Sequence, residues 1–194
     1  MTVLVLASAS TARARLLADA GIPFRQVTSD IDEAALKREG GPAPDIALGL
    51  AAAKAAQVSA GETNALVLGA DQVLLYGDRL LSKAQTPAEA LEQLRELRGR
   101  SHTLISALCL AQRGTVLWKH VEQARLWMRP FSDAILQTYV AGEGSRILAS
   151  VGCYQLEGPG IQLFERIEGD FFAVLGLPLL PLLAELRRHG VVAS

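Results

Sequence analysis

The sequence is short of cysteines and of long apolar runs. Its only cysteines are Cys109 and Cys153, and both lie in apolar surroundings. We therefore expect two reduced core cysteines in a cytosolic protein rather than a disulfide. No apolar run reaches the roughly 18 residues that a membrane span needs. No basic region precedes a long apolar segment near the N-terminus, so neither a membrane protein nor a secreted one is predicted.

Charge of one sign and metal-binding histidines are also scarce. The formal net charge is -1, so no global basic field would draw the protein to nucleic acid or to an anionic membrane. His102, His120 and His189 have no metal-ligand spacing with each other or with the cysteines, and we treat them as structural or surface residues. The Gly-Lys-Ser/Thr signature of a P-loop is missing, which argues against a kinase.

What the sequence does contain is material for one well-packed core. Hydrophobic residues make up 50% of the 194 residues. This length suits one domain, which we place at residues 1–194. Strand patterns alternate with helix patterns in the first half, and antiparallel strand candidates follow in the second. This order predicts an α/β fold with a central mixed sheet and flanking helices.

Several short segments predict where strands turn or break. The run "ALVLGADQVLLY" is strand-like, with a break expected at Gly69 to Asp71. The stretch "YGDR" and the later "RG" are typical of hairpin turns. Short strands are expected through the tail that begins at Cys153, and Pro181 is expected to shift the start of the last helix.

Helix starts are marked by small polar residues. Ser10 and Thr86 each precede a helix pattern and are predicted to cap it through their side-chain oxygens. In "SDIDEAAL", Asp30 and Glu33 have the spacing of a capping box. The alternative for this segment is a cluster of hard oxygen ligands for Mg²⁺ or Mn²⁺, to which Asp32 would also contribute.

The stretch "LASASTARARLL" places hydroxyl groups and an arginine where a strand gives way to a helix. A helix N-terminus exposes unpaired N–H groups with partial positive charge, so it attracts anions. Ser8 and Ser10 add hydroxyl donors there, and Arg13, one turn into the helix, could fork onto a phosphate. The alternative is a capped helix with solvated arginines, and this stretch alone does not decide between the two.

Lys54 and Lys83 are candidate partners for the same anion. Lys54 is the only charged residue between Ile46 and Gly61, and its spacing places it on or beside the apolar helix face. It is either a snorkelling lysine or an ammonium held against a phosphate from a mostly dry surface. Lys83 follows in "LLSKAQ", where the alternative is an exposed loop lysine.

Asp71 interrupts an apolar strand pattern. A carboxylate there costs several kcal/mol if it is buried and unpaired, so it lies in a turn at the sheet edge or serves a site. We favour a site, since open α/β sheets bind ligands beyond the carboxyl ends of their strands. Cationic groups for a polyphosphate, together with Glu33 and Asp71 for a metal and a water, suit hydrolysis of a phosphoanhydride.

The sequence resembles the Maf family of nucleoside triphosphate pyrophosphatases over nearly its whole length. The stretch "LASASTARARLL" is similar to that family's Leu-Ala-Ser-x-Ser-Pro-x-Arg-Arg-x-Leu-Leu signature. Further blocks match in the same order: "DIDE", "AAAKA", "LGADQVL", "LLSKA" and "GPGIQLFERIEGDFFAVLGLPL". The resemblance implies an α/β fold with a mixed sheet and two lobes around a cleft. It also implies cleavage of a nucleoside triphosphate to monophosphate and pyrophosphate with Mg²⁺ or Mn²⁺.

Residue roles follow from the same resemblance. Glu33 and Asp71 would bind the metal, and Asp71 would accept the proton of the attacking water. The positions that would hold phosphates are Ser8, Arg13, Lys54 and Lys83. The protein would then clear non-standard or surplus nucleotides in the cytoplasm.

Three positions of that family are thought to select the base, and here they are Ala12, Gln72 and Glu157. Gln72 and Glu157 match the branch that acts on 7-methyl-GTP, whereas the branch that acts on dTTP and UTP has Thr and Gln there. Ala12 matches neither branch, since one has Trp and the other Arg. A Trp could stack on a positively charged methylated purine, so Ala12 removes that stacking partner.

Further departures from the family pattern lie near the phosphate-binding positions. Thr11 replaces a Pro, Ala14 replaces the second Arg, and Ala84 replaces another Pro. Arg15 is about 100° farther around a helix than Ala14, so it need not substitute. These changes leave a second function open, a nucleotide-binding regulator of septum formation with little catalysis. A homodimer is a further expectation, because family members are often dimeric.

Overall fold

The computed structural model describes residues 2–193. The strands are β1 (Val3–Ala7), β2 (Phe24–Gln26), β3 (Ala65–Tyr76), β4 (Arg79–Leu81), β5 (Ser101–Gln112), β6 (Thr115–Met128) and β7 (Phe164–Glu168). The helices are α1 (Thr11–Asp19), α2 (Glu33–Arg38), α3 (Ala43–Gly61), α4 (Pro87–Leu97), α5 (Asp133–Glu143), α6 (Phe171–Val174) and α7 (Leu179–Arg188). Two 3₁₀ helices, Gly144–Ala149 and Pro159–Leu163, complete the regular elements of the described part.

The strands form one mixed seven-stranded sheet in the order β2-β1-β3-β5-β6-β7, with β4 paired to β3. β1 runs parallel to both β2 and β3, because helices connect these strands and return the chain to the same edge. The pairs β3–β4 and β6–β7 are antiparallel. The predicted α/β fold with a mixed central sheet is confirmed.

Two compact units share the chain. The first comprises the residues up to Gln72, Ile105–Glu122 and the residues from Asp170 onward. The second comprises Val73–Leu104 and Gln123–Gly169. The long strands β3, β5 and β6 therefore contribute residues to both units. The expectation of a single domain over residues 1–194 stays a prediction.

The core of the first unit lies on both faces of β1. Leu4 belongs to a cluster with Leu17 of α1 and Leu182 of α7. Its neighbour Val5 faces the other way and packs with Val58 of α3. Alternate residues of a strand point to opposite faces, so a strand covered by helices on both sides must be apolar throughout. Each fully buried leucine contributes roughly 1.5–3 kcal/mol to folding.

β3 runs without interruption through Gly69 and Asp71, so the predicted break is wrong. A Cβ atom at Gly69 would lie 2.1 Å from Ala51 O and 2.7 Å from Ala55 N, both in α3. The glycine therefore permits close packing of a helix on the strand, and no turn is involved. Because alternate strand residues share a face, Asp71 points to the same side as Gly69, toward α3.

The cap of α2 differs from the prediction. Asp32 is the N-cap, and its side chain accepts from Ala35 N at 2.8 Å. The expectation that Asp30 caps this helix is wrong, because Asp32 directly precedes the first helical residue, Glu33, and is the nearer acceptor. The backbone N–H of Asp30 instead donates to Gln57 Oε1 at 2.8 Å.

Other helix starts follow their local sequence. Ser10 accepts from Arg13 N and caps α1, and Thr86 accepts from Glu89 N and caps α4, as predicted. Pro181 does not shift the start of α7, which begins at Leu179. The N–H groups of a first helical turn have no intrahelical acceptor, so a proline there removes no hydrogen bond.

The tail from Cys153 contains fewer strands than predicted. Within it, β7 is followed by α6, and the residues before β7 form a 3₁₀ helix. A Cβ atom at Gly160 would lie 2.5 Å from Gln155 O. The chain therefore folds back tightly on itself here.

The cysteines agree with the expectation drawn from the sequence. Cys109 and Cys153 are free and buried. Burial raises the pKa of each thiol to about 11, so both behave as core residues. Among residues 2–193, no helix has the length and apolar character to cross a membrane.

His102, Tyr154 and Phe164 form a buried aromatic cluster in the second unit. His102 Nε2 lies 2.6 Å from the Tyr154 hydroxyl, and the Tyr154 and Phe164 ring centroids are 4.7 Å apart. His102 Nδ1 is buried and has no hydrogen-bond partner in the described part of the chain. Burial lowers the pKa of His102 to about 4, so the imidazole is neutral in the folded protein near pH 7.

Acidification is expected to destabilise the protein through His102. The unfolded chain returns the pKa of this imidazole to about 6.5, so the unfolded state binds a proton first as the pH falls. Stability is then lost below pH 6.5, by roughly 2–3 kcal/mol at about pH 4.5. The variant His102→Gln keeps a polar partner for Tyr154 and does not ionise. Urea unfolding near pH 7 and pH 4.5 measures the free energy of unfolding at each pH. The decrease from pH 7 to pH 4.5 should be smaller in His102→Gln than in wild type. Identical decreases would show that protonation of His102 is not the cause.

Candidate functional site

The candidate site lies beyond the carboxyl end of β1. The pairing of β1 with β3 ends at Ala7, opposite Gly69, so Asp71 and Gln72 extend past the end of β1. Ser8 follows β1 directly and leads to the start of α1. Open α/β sheets bind their ligands at this position.

Lys54 of α3 forms ion pairs with two carboxylates. Its Nζ lies 2.7 Å from Glu33 Oε1 and 2.7 Å from Asp71 Oδ1. Lys54 is 6% exposed and Asp71 is 5% exposed, whereas Glu33 is exposed along much of its side chain. Lys54 therefore does not extend to solvent, and the snorkelling interpretation is wrong. The structure brings the predicted lysine and both predicted metal ligands together.

This cluster has an excess of negative charge. Two carboxylates and one ammonium, -2 and +1, give a formal charge of -1. Asp71 Oδ2 is buried, and no described residue donates a hydrogen bond to it. A buried carboxylate oxygen without a donor is costly. It is therefore suited to bind a metal ion or to accept a hydrogen bond from a water molecule.

Arg13 is held on one side by three oxygen atoms. Its Nε donates to Gly176 O at 3.0 Å. Its Nη1 donates to Ser8 Oγ at 3.2 Å and to Ala70 O at 3.0 Å. These bonds fix the plane of the guanidinium, and none of the three uses Nη2. Arg13 can therefore offer Nη2 to an anion without giving up its own anchors.

The charge of Arg13 is coupled to the carboxylate cluster. Burial lowers the pKa of the Arg13 guanidinium from its ordinary value, and the negative charges of Asp71 and Glu33 oppose that shift. Arginine stays protonated in proteins, so Arg13 contributes a fixed positive charge near the cluster. Arg15 is exposed and pairs with Asp19 at 3.4 Å.

Gln72 has an amide whose orientation is determined by its neighbours. Its Nε2 donates to Ser106 Oγ at 2.9 Å and to the carbonyls of Ala173 and Val174, both at 3.0 Å. Ser106 Oγ in turn donates to Ala173 O at 2.7 Å. Carbonyl oxygens cannot donate, so the reversed amide would place Oε1 against two acceptors. Gln72 therefore keeps Oε1, a hydrogen-bond acceptor, on the side away from α6.

The remaining predicted residues lie outside these contacts. Ala12 is a half-buried residue of α1, next to Arg13 in sequence. Lys83, in the loop after β4, and Glu157, in a turn, are exposed residues of the second unit. The roles expected for these three residues stay predictions.

The prediction from sequence missed Ser106 and the packing role of Gly69. Ser106 is fully buried in β5, within the apolar run "LISALCL". A polar side chain in a buried strand needs a hydrogen-bond partner. A serine within an apolar strand pattern was therefore the signal that could have identified Ser106. A glycine inside a strand often marks the close approach of another backbone, which was the corresponding signal at Gly69.

A divalent metal fits the carboxylate pair. Among residues 2–193, no group of three or more His, Cys, Asp and Glu side chains could hold a metal ion on its own. Mg²⁺ is usually bound through one or two carboxylates together with substrate phosphates. Glu33 and Asp71 supply these two carboxylates, and Oδ2 of Asp71 has no hydrogen-bond donor among the described residues.

The chain is similar to known proteins over nearly its whole length. A family model described as Maf-like protein matches residues 3–189. A 7-methyl-GTP pyrophosphatase from Rhizobium meliloti (strain 1021) is 47% identical over 194 residues, covering 98% of both chains. One from Brucella abortus biovar 1 (strain 9-941) is 49% identical over 197 residues, covering 99% of both. A nucleoside triphosphate pyrophosphatase from Bradyrhizobium diazoefficiens is 48% identical over 192 residues, covering 98% of this chain and 95% of its own.

Proposed function

This chain belongs to the Maf family, and on that premise we propose that it hydrolyses a nucleoside triphosphate to a nucleoside monophosphate and pyrophosphate. The names of its relatives, nucleoside triphosphate pyrophosphatase and 7-methyl-GTP pyrophosphatase, support this hydrolysis of a phosphoanhydride bond. The observation that carries the proposal is the buried cluster in which Lys54 joins Glu33 and Asp71. The whole chain, residues 1–194, acts as one domain in this proposal.

The start of α1 binds the phosphate chain in this mechanism. Ser8 Oγ accepts from Ser10 N and from Arg13 Nη1, both at 3.2 Å, so its hydroxyl proton is left to donate to a phosphate oxygen. Arg13 Nη2 adds a charged donor, and the backbone N–H groups of the first helical turn attract the same anion. Lys83 is a further phosphate ligand in the proposal.

Asp71 is the general base of the proposed reaction. Lys54 binds Oδ1 at 2.7 Å, so Oδ2 is the oxygen that is left to accept the proton of the attacking water. A divalent ion bound by Glu33 and Asp71, Mg²⁺ or Mn²⁺, would neutralise charge on the phosphate oxygens and lower the pKa of a bound water. In the free protein Lys54 orients the carboxylate of Asp71, because it holds one of the two oxygens.

The substrate in this proposal is 7-methyl-GTP or another guanine nucleotide. Gln72 Oε1 is an acceptor, so it would take a hydrogen bond from an N–H group such as the exocyclic amine of guanine. Glu157 is also an acceptor when ionised and would attract the positive charge of a methylated base. Ala12 offers no ring for stacking, so it would add no aromatic contact to the base. The relatives named 7-methyl-GTP pyrophosphatase support this choice.

The function is tested by pyrophosphate release with Mg²⁺ or Mn²⁺ from the standard triphosphates, 7-methyl-GTP and ITP. We expect release, with guanine nucleotides ahead of UTP and dTTP. ITP lacks only the exocyclic amine of GTP, so its kcat/KM should be about tenfold lower if that amine bonds to Gln72. Equal values for GTP and ITP would contradict that bond. No release from folded, metal-loaded protein that still binds nucleotide would contradict the enzyme.

A nucleotide-binding regulator of septum formation is the second candidate. The observation that favours it lies in α1, where Ala14 replaces an arginine of the family signature and Arg15 pairs with Asp19. Weaker phosphate binding would leave a protein that senses nucleotide and turns over little of it. A homodimer and a cytoplasmic location are further parts of the proposal that apply to either candidate.

Replacing Arg13 by alanine is expected to weaken triphosphate binding by about 10- to 100-fold, because charged hydrogen bonds to the phosphates are lost. Binding of the corresponding nucleoside should change little, since it carries no phosphate. Calorimetric titration of both ligands measures the two effects. Arg15→Ala, on the exposed face of the same helix, is the control and should bind like wild type. Equal losses for triphosphate and nucleoside in Arg13→Ala would contradict a phosphate contact.

A further inference from the structure

We propose that Lys54 Nζ and a divalent metal compete for Glu33 and Asp71, so that metal binds weakly to the free protein and tightly once nucleotide is present. This inference rests on the proposed function for the identity of the nucleotide. Lys54 lies 2.7 Å from one oxygen of each carboxylate. It therefore bridges the same two groups that would bind the metal, and acts as an internal cation in the absence of nucleotide.

Burial makes this competition strong. Lys54 is 6% exposed and Asp71 is 5% exposed, so water screens their charges poorly. An ammonium and a divalent cation bound to the same carboxylates repel each other. Either the metal binds with the lysine still in place, at a cost in repulsion, or the lysine must first leave. Both routes lower the affinity of the free protein for metal.

The helix gives Lys54 little freedom to leave by itself. Ala51, about one turn before Lys54, and Ala55, the residue directly after it, pack against β3 at Gly69, and both are fully buried. α3 is therefore held against the strand, so Asp71 is freed when the Lys54 side chain rotates and not when the helix moves. A buried ammonium needs a new acceptor before it abandons two ion pairs. The phosphate oxygens of a bound nucleotide supply one.

Charge summation gives the sign of the coupling. With Lys54 in place the cluster has a formal charge of -1. Adding a divalent ion alone, +2, brings it to +1, with the fixed charge of Arg13 beside it. Adding phosphate as well restores negative charge and gives Lys54 and Arg13 a shared partner. Metal and nucleotide should therefore each raise the affinity of the protein for the other, since such coupling is reciprocal.

Mn²⁺ binding, followed by the electron paramagnetic resonance signal of the free ion, tests this without any turnover. In the absence of nucleotide, Lys54→Met should bind Mn²⁺ about tenfold or more tightly than wild type, because the competing cation is gone. Lys37→Met is the matched control. Lys37 also approaches Glu33, but at 4.0 Å and from an exposed position, so its removal should leave Mn²⁺ affinity nearly unchanged. Equal affinities in wild type and Lys54→Met would overturn the proposal.

A second arm uses wild type alone, in case Lys54→Met does not fold. A triphosphate with a methylene group between the α and β phosphorus atoms cannot be cleaved to pyrophosphate, and serves as the nucleotide. After correction for Mn²⁺ held by the free analogue, it should raise the affinity of wild type for Mn²⁺ about tenfold or more. An unchanged affinity would overturn the proposal. Pyrophosphate release is not a readout in either arm, so failure of this inference is distinguishable from failure of the proposed reaction.

Discussion

Asp71→Asn is expected to lower the rate of pyrophosphate release by about a thousandfold, while nucleotide still binds. Asparagine has the shape of aspartate but cannot accept the proton of the attacking water, and it is a poor metal ligand. The buried Oδ2 without a donor is the atom whose chemistry is removed. Steady-state release of pyrophosphate measures the rate, and calorimetric titration with the uncleavable analogue measures the binding.

Asp45→Asn is the control for this substitution. It removes the same charge from an exposed position in the first turn of α3. Its cost is about 0.3–1 kcal/mol of stability from the helix dipole, and its rate should match wild type. A wild-type rate in Asp71→Asn would remove Asp71 from the mechanism. A loss of nucleotide binding in that variant would instead identify Asp71 as a binding residue.

Gly69→Ala is expected to destabilise the protein by about 3 kcal/mol or more, since a backbone oxygen only 2.1 Å from the new Cβ cannot move aside alone. The whole of α3 has to shift away from β3. For a chain of this length the melting temperature should fall by roughly 6–12 °C. Because α3 carries Lys54, the same shift separates Lys54 from Asp71. A misplacement of about 1 Å can lower a rate about a hundredfold.

Gly49→Ala is the matched control. It adds the same Cβ atom to a glycine of α3, the helix that packs on β3 at Gly69. Gly49 lies in α3, and a Cβ atom there would meet nothing within 4 Å. Alanine should stabilise this helix by about 0.5–1 kcal/mol. Thermal unfolding and pyrophosphate release, measured on both variants, distinguish close packing from a general effect of glycine replacement. A wild-type melting temperature in Gly69→Ala would contradict the packing role.

Local features of the fold could be predicted because they depend on neighbours in sequence. Ser10 and Thr86 cap their helices by reaching an N–H group three residues ahead. The turn at Gly77, with a φ of 57°, joins β3 to β4 as expected. The predictions were wrong where two nearby residues could each cap the same helix, as with Asp30 and Asp32. They were also wrong where a residue's role depends on an element distant in sequence, as at Gly69, which packs against α3. Such choices depend on packing that no short segment contains.

The candidate site was predictable in its residue types more than in its arrangement. The unusual positions of Lys54 in an apolar helix and of Asp71 in an apolar strand pointed to a site, because buried charges need partners. Their pairing with each other was not predicted, since each was considered as a ligand for substrate or metal. Ser106 was missed altogether, because its partner Gln72 belongs to another strand.

The sequence by itself determined the mixed α/β order of strands and helices, the caps of α1 and α4, the turn at Gly77, and which charged residues interrupt apolar segments. These features follow from periodicity and from contacts over a few residues. Only the tertiary structure decided that Lys54 joins Glu33 to Asp71 and that Gln72 keeps one amide orientation. Those contacts join segments that are far apart in the chain. They exist because α3 packs closely on β3 at Gly69 and because the carbonyls of α6 meet Gln72.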